Sequence, residues 1–158
     1  FKVGVINLMG NVFMRKTEDV FEVAKKIKDK IILKKNVDFI VVDFHGEITS
    51  EKMAIGHLFD GASTGVVGTH THVPTADTRI LEKGTAYQTD IGMCGDYNSV
   101  IGMNKENSLK KFLKDKKATH HFPAEGEASL SGIIIEADHE TGLAKKITRL
   151  IAGGSLIK

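Results

Sequence analysis

An α/β layered fold is what this sequence predicts, and three observations predict it. Through the first half, apolar runs of strand length alternate with segments of helical periodicity, the pattern of parallel βαβ units. The last part is β-prone on both sides of Asp138-His139-Glu140-Thr141-Gly142, turn chemistry that marks an antiparallel hairpin. Histidines stand directly after two of the apolar runs, at the strand ends where α/β folds gather their ligands.

Taken in order, Val3 to Leu8 reads as a strand closed by Gly10-Asn11. The next segment has Thr17 as N-cap and Glu18 and Asp19 in its first turn. Val20, Val23, Ala24, Ile27 and Ile31 then follow the spacing of an amphipathic helix, with Lys25, Lys26, Lys28 and Lys30 mostly on its solvated side. Val37 to Phe44 is a nearly continuous apolar run broken by Asp38, as expected of a strand covered on both faces. A helix capped by Thr49 or Ser50 should run toward Asp60 and stop at Gly61. Thr64 to Gly68 is a third strand and Gly84 to Met93 a further β-rich stretch; Asn104 caps a short helix through Leu113. Leu130 to Ala137 and Ala144 to Ile151 form the arms of the hairpin. No repeat or linker divides the chain, so residues 1–158 read as one domain.

A chain of 158 residues is long enough to bury a core. Its 22 basic and 20 acidic residues leave a formal net charge of +2, which gives no reason to expect an extended nucleic-acid or membrane surface. The single cysteine, Cys94, excludes an intrachain disulfide and suits a reducing compartment. No apolar run reaches membrane-spanning length, and a cytoplasmic setting is expected. The chain opens at Phe1, without a methionine, straight into a β-prone run, so a processed or longer parent chain is expected. There is no G-x-S-x-G elbow, G-x-x-x-x-G-K-[ST] phosphate loop, G-x-G-x-x-G after a strand or paired C-x-x-C. Metal chemistry through histidine remains.

His70 and His72 are spaced H-x-H after a strand. Side chains two apart on extended backbone point the same way, so both imidazoles can meet one metal or two adjacent ones. Two ligands make an incomplete site, and on spacing alone metal binding and simple packing stand level. His45 follows the second strand between Asp43 and Glu47, carboxylates suited to be ligands or to orient one. With His70 and His72 on a neighbouring strand end, a ligand role for His45 becomes the better reading. His57 reads as a packed or partly exposed helix residue, His139 as solvent-facing, and Cys94 as a small buried or loop residue. His120-His121 carry no assignment.

Three segments, V-V-D-F-H-G-E-I-T-S-E-K, G-T-H-T-H-V-P-T-A-D and G-T-A-Y-Q-T-D-I-G-M, closely resemble the YmdB-type metallophosphoesterases of the calcineurin-like superfamily. V-I-N-L-M-G, S-V-I-G-M around Ser99 to Met103 and the closing hairpin extend the likeness from about Val3 to Ile151. The resemblance implies a four-layer α/β/β/α sandwich and a bacterial phosphodiesterase acting on cyclic nucleotides, notably 2′,3′-cyclic ones. It implies a centre of two divalent metals, iron or manganese with zinc as a further option, generating a hydroxide that attacks phosphorus in line. Carried over by position, His45 and His70 are ligands of one metal and His72 reaches the other.

The family's first half carries an aspartate ligand, a bridging glutamate with a neighbouring asparagine, and a G-N-H segment with the catalytic histidine; none is found here. Asp43-Phe44-His45 looks like the D-x-H that opens ordinary calcineurin-like enzymes, but the motifs that should follow it are missing, so that register is rejected. Gly46 and Ile48 stand where small or apolar family residues are expected, and Asp96 where a proline is. The expectation is therefore the C-terminal portion of such an enzyme, inactive alone and associating with a missing N-terminal half or a second copy. The rival readings are a non-catalytic degenerate half-domain and a metal-dependent amidohydrolase.

Overall fold

The computed structural model describes residues 1–15 and 17–156. In chain order the elements are β1 (Val3–Met9), α1 (Val20–Lys30), β2 (Phe39–His45), α2 (Thr49–Leu58), β3 (Gly65–Thr69), β4 (Arg79–Ile80) and β5 (Ala86–Gln88). They are followed by β6 (Gly95–Asp96), α3 (Lys105–Phe112), β7 (Ala128–Ala137) and β8 (Ala144–Ala152). One sheet has the order β1-β2-β3-β5-β4, with β1, β2, β3 and β5 parallel and the short β4 antiparallel to β5 at the edge. The second is antiparallel, in the order β6-β7-β8, and contains the expected hairpin. A mixed α/β architecture is thus observed.

The strand register sorts side chains onto two faces. Ile6 pairs with Val42 and Leu8 with Phe44; Val42 pairs with Val66 and Val66 with Tyr87, so these residues share one face. Val20 and Ala24 of α1, Ile55 of α2 and the following Phe59 pack on it to form the buried core. The opposite face carries Val3, Val5, Phe39 and Val41, then Asn7, Asp43, His45 and Thr69 toward the carboxyl ends. Over β3 it is covered by the hairpin: Ile135 Cδ1 lies 2.6 Å from where a Cβ on Gly65 would stand.

Coverage of β2 differs from expectation. Ile40, Val42 and Phe44 are buried, while Phe39, Val41, Asp43 and His45 are only half-buried. The hairpin lies toward β3, β4 and β5, and among the described residues Val3 and Val5 remain 56% and 73% exposed on the same face as Phe39 and Val41. The helix starts also shift. Asp19, not Thr17, caps α1, accepting from the backbone N–H groups of Phe21 and Glu22. Thr49 is the first residue of α2 rather than its cap, and the capping position, Ile48, has no side-chain bond. Asn104 caps α3 as expected, accepting from Asn107 N. The Gly84–Met93 stretch is strand over only three residues: the N–H groups of Thr89 and Asp90 turn to the side chains of Asp77 and Thr75, and beyond them Ile91 N donates to Gly68 O of β3 at 3.0 Å.

Gly68 marks the tightest approach in the sheet: a Cβ there would overlap Thr89 O and stand 2.9 Å from Lys52 Cδ. Gly132, by contrast, has nothing within 4 Å of such a Cβ. Gly68→Ala is therefore expected to abolish cooperative unfolding, since β3 and the segment that follows β5 would have to part. Gly132→Ala should change stability by no more than about 1 kcal/mol. Urea denaturation followed by circular dichroism compares the two, and equal stability would contradict this account of the packing.

Candidate metal centre

His45 ends β2 on the face away from the helices. Its Nδ1 lies 3.0 Å from Thr69 Oγ1, which itself donates to Asp43 Oδ1 at 2.8 Å. Asn7 Nδ2 donates to the other oxygen of Asp43 at 2.9 Å. The Thr69 hydroxyl has one proton and spends it on the carboxylate, so it accepts from His45 Nδ1–H. The lone pair of neutral His45 is thereby placed on Nε2. Burial, then the neighbouring His70, hold His45 below the ordinary histidine range against the pull of Asp43. This favours the neutral form, the one that binds metal.

The H-x-H segment is not extended. β3 ends at Thr69, and His70 and His72 have φ values of 106° and 66°. Positive φ at non-glycine residues costs of order 1–3 kcal/mol each and gathers at functional sites. Two left-handed residues in three turn the imidazoles apart rather than to one side. His70 Nε2 stands 3.2 Å from Glu47 Oε2, which leaves Nδ1 toward His45. His72 Nδ1 donates to the carbonyl of Ile101 at 2.8 Å, which leaves Nε2 free. Ile101 also has positive φ, 48°, rare for a β-branched residue.

His45 and His72 each give Nδ1 to an oxygen in a hydrogen bond and keep Nε2, the arrangement that metal-ligating histidines adopt, while His70 sets Nε2 against Glu47 in an ion-pair contact and turns Nδ1 to His45. His45 Nε2 and His70 Nδ1 lie 3.1 Å apart, with ring planes at 80°. Two nitrogens bound to one metal at their usual lengths stand about 2.9–3.4 Å apart. The pair thus fits adjacent positions on a single metal. Among the described residues no group of three or more His, Cys, Asp or Glu side chains is close enough to hold a metal. His72 stays outside the pair, and the nearby carboxylates serve other atoms: Glu47 meets the far nitrogen of His70, and Asp43 reaches His45 through Thr69.

A family model described as YmdB-like protein matches residues 1–150. The chain belongs to this family. It is 45% identical to the 2′,3′-cyclic-nucleotide 2′-phosphodiesterase of Bacillus subtilis (strain 168), over 95% of this chain and 56% of that protein. A crystal structure of a hypothetical protein from Thermus thermophilus superposes with a TM-score of 0.85 at 35% identity, covering 97% of this chain and 58% of that one. A novel phosphatase from Mycoplasma pneumoniae gives a TM-score of 0.84 at 40% identity, covering 94% and 52%. The chain spans about half the length of the relatives it matches.

Within this YmdB-like chain the residues hidden from sequence reasoning are those beneath the histidines. Lys52 and Asp90 form an ion pair at 2.8 Å with both side chains 1% exposed. Asp90 Oδ2 also accepts from Thr71 N at 3.1 Å and Thr71 Oγ1 at 2.7 Å, and Oδ1 from Gly92 N at 2.9 Å. One signal for Lys52 was available: it stands on the stripe of Ile48, Ile55 and Phe59, where an apolar residue belongs. The remaining histidines lie elsewhere. His57, His120, His121 and His139 are exposed, as is Cys94, a loop residue ahead of β6.

The proton count has a spectroscopic consequence. Long-range ¹H–¹⁵N correlation spectra of the metal-free protein, recorded above the histidine titration range, should place the ring proton of both His45 and His72 on Nδ1. Thr69→Val should release His45 from that tautomer, and Thr69→Ser should retain it. Nε2–H signals for His45 and His72 in the parent protein would contradict the geometry.

Proposed function

We propose that this chain supplies the histidine side of a two-metal phosphodiesterase centre acting on cyclic nucleotides, 2′,3′-cyclic nucleotides first among them. His45 and His70 hold one metal and His72 reaches the other. The observation that carries this reading is the 3.1 Å approach of two imidazole nitrogens whose ring partners are already committed to oxygen acceptors. Without a cation or proton between them, two lone pairs would face each other at that distance. Iron and manganese are the metals proposed, and zinc shares the preference for imidazole.

When bound, such metals polarise a phosphodiester and supply a nucleophile at neutral pH. The chain's own part is to hold and aim the ligands. Asp43 and Thr69 keep the Nε2 lone pair of His45 exposed, Glu47 does the same for Nδ1 of His70, and the Ile101 carbonyl for Nε2 of His72. All three donors are neutral, so nothing among them offsets the charge of two dications. We therefore read the chain as the C-terminal portion of a larger four-layer sandwich, holding metal weakly and turning over no substrate alone. The open face around Val3, Val5, Phe39 and Val41 is then the surface that the remaining half, or a second copy, covers. Among the described residues no helix is long and apolar enough to cross a membrane.

Membership of the family sets the amidohydrolase reading aside. The non-catalytic half-domain is separated by experiment. The chain alone with Mn²⁺ should hydrolyse no 2′,3′-cyclic AMP above background. Co-expression with the part of the Bacillus subtilis relative that it does not match should restore Mn²⁺-dependent hydrolysis, and His45→Ala should remove it. Turnover by the chain alone would contradict its proposed incompleteness. A folded, metal-loaded complex without turnover would favour the non-catalytic reading.

A further inference from the structure

We propose that Asp90 and Thr71 are positioning residues that send the two histidines of the H-T-H segment to different metals, with Lys52 as the buried counter-charge. This rests on the reading of His70 and His72 as metal ligands. On extended backbone the two imidazoles would point to one side. Here both residues are held at positive φ, which few non-glycine residues adopt, and a local restraint keeps two of them there within three positions.

The restraint is the residue between them. Thr71 donates both its backbone N–H and its hydroxyl to Asp90 Oδ2, at 3.1 and 2.7 Å. Four residues on, Thr75 N donates to the Asp90 carbonyl at 3.0 Å, and Asp90 N donates to Thr75 Oγ1 at 3.0 Å. The segment from Thr71 to Thr75 is thus fastened at both ends to one residue. His70 lies just before the first fastening and turns toward His45 and Glu47. His72 lies just inside it and turns toward the Ile101 carbonyl.

Asp90 can hold this position because both of its carboxylate oxygens accept hydrogen bonds. Lys52 Nζ donates to Oδ2 and Gly92 N to Oδ1, and Asp90 is 0% exposed. A carboxylate so buried needs a counter-charge and a full set of donors. Lys52 reaches it from the helix-covered face, its stem passing the space that a side chain at position 68 would fill. The clamp is therefore anchored in the core, while the ligand it aligns with, His45, projects from the opposite face. Within G-T-H-T-H each residue that is not a ligand contributes separately. Gly68 admits Lys52, Thr69 fixes the tautomer of His45, and Thr71 sets the turn.

Thr71→Val tests this, because it deletes only the hydroxyl donor and leaves the Lys52–Asp90 pair and the backbone bond in place. Thr71→Ser keeps the donor, and Thr71→Ala repeats the deletion without bulk should the valine variant not fold. Three quantities are measured on the full chain: the thermal midpoint, the ring-proton position of His72 by ¹⁵N spectroscopy, and Mn²⁺ binding by electron paramagnetic resonance of the free ion. A folded Thr71→Val protein should bind Mn²⁺ at least tenfold more weakly and lose the fixed Nδ1–H signal of His72. Thr71→Ser should restore both. Unchanged affinity and an unchanged His72 ring in a folded valine or alanine variant would overturn the proposal. If the parent binds no Mn²⁺ and His70→Ala changes nothing, the metal reading fails, and the His72 ring signals alone decide whether the clamp exists.

Discussion

An ammonium and a carboxylate 2.8 Å apart, each 1% exposed, form the constraint on which this structure turns. Removing two charges from water costs several kcal/mol per ion, and their attraction offsets that only when the remaining lone pairs are satisfied. Asp90 meets the condition with donors from Lys52, Thr71 and Gly92. Each donor lies in a different part of the chain. The pair therefore fixes α2, the segment after β3 and the exit of β5 against one another in a single small volume. Loss of either charge would leave the other buried and unpaired, a penalty of about 3–5 kcal/mol.

That constraint explains how labour is divided between the two faces of the parallel sheet. The helix-covered face holds the apolar core, where Phe44, Ile55, Phe59 and Tyr87 are essentially inaccessible. It also houses the Lys52 stem. The other face carries polar residues at the carboxyl ends of β1, β2 and β3: Asn7, Asp43, His45 and Thr69. Precision on the open face is borrowed from rigidity on the closed one. The strained turn at His70 and His72 persists because its neighbours over-determine it. A second acid lengthens the same fastening: Asp77 accepts from Thr75, Arg79 and both donors of Thr89. Burial works against ionisation of Asp77, yet those hydrogen bonds hold its carboxyl below the usual carboxylate range.

Much of the fold was legible because it rests on local pattern. The stripe of α1, the Asn104 cap of α3 and the hairpin around Asp138–Gly142 are each written within a dozen residues. His45, His70 and His72 were found as candidates because strand ends are where such folds place ligands. What escaped depends on partners distant in sequence or on competition between close alternatives. Lys52 and Asp90 are 38 residues apart, and neither announces the other. Thr17 and Asp19 are both good caps, and the better-placed carboxylate won. Spacing implies an extended H-x-H segment, and periodicity cannot detect a change of dihedral angle: the strand stops at Thr69, and His70 and His72 take positive φ on either side of the tether from Thr71 to Asp90. Under the proposal that these two histidines serve different metals, the turn is the physical cause of their separation.

The chain belongs to the YmdB-like family yet spans about half of its curated relatives, so its chemistry is best judged by what its own side chains can hold. Hydrogen bonds from Nδ1 leave Nε2 of His45 and His72 for metal, and the Glu47 contact at Nε2 of His70 leaves its Nδ1. Anomalous diffraction from crystals soaked in Mn²⁺ measures this most directly. The expected result is one anomalous peak within bonding distance of both His45 Nε2 and His70 Nδ1, and any further metal at His72 on Nε2. A peak on His45 Nδ1 or His70 Nε2, or fully formed crystals with no manganese at this pair, would contradict the account.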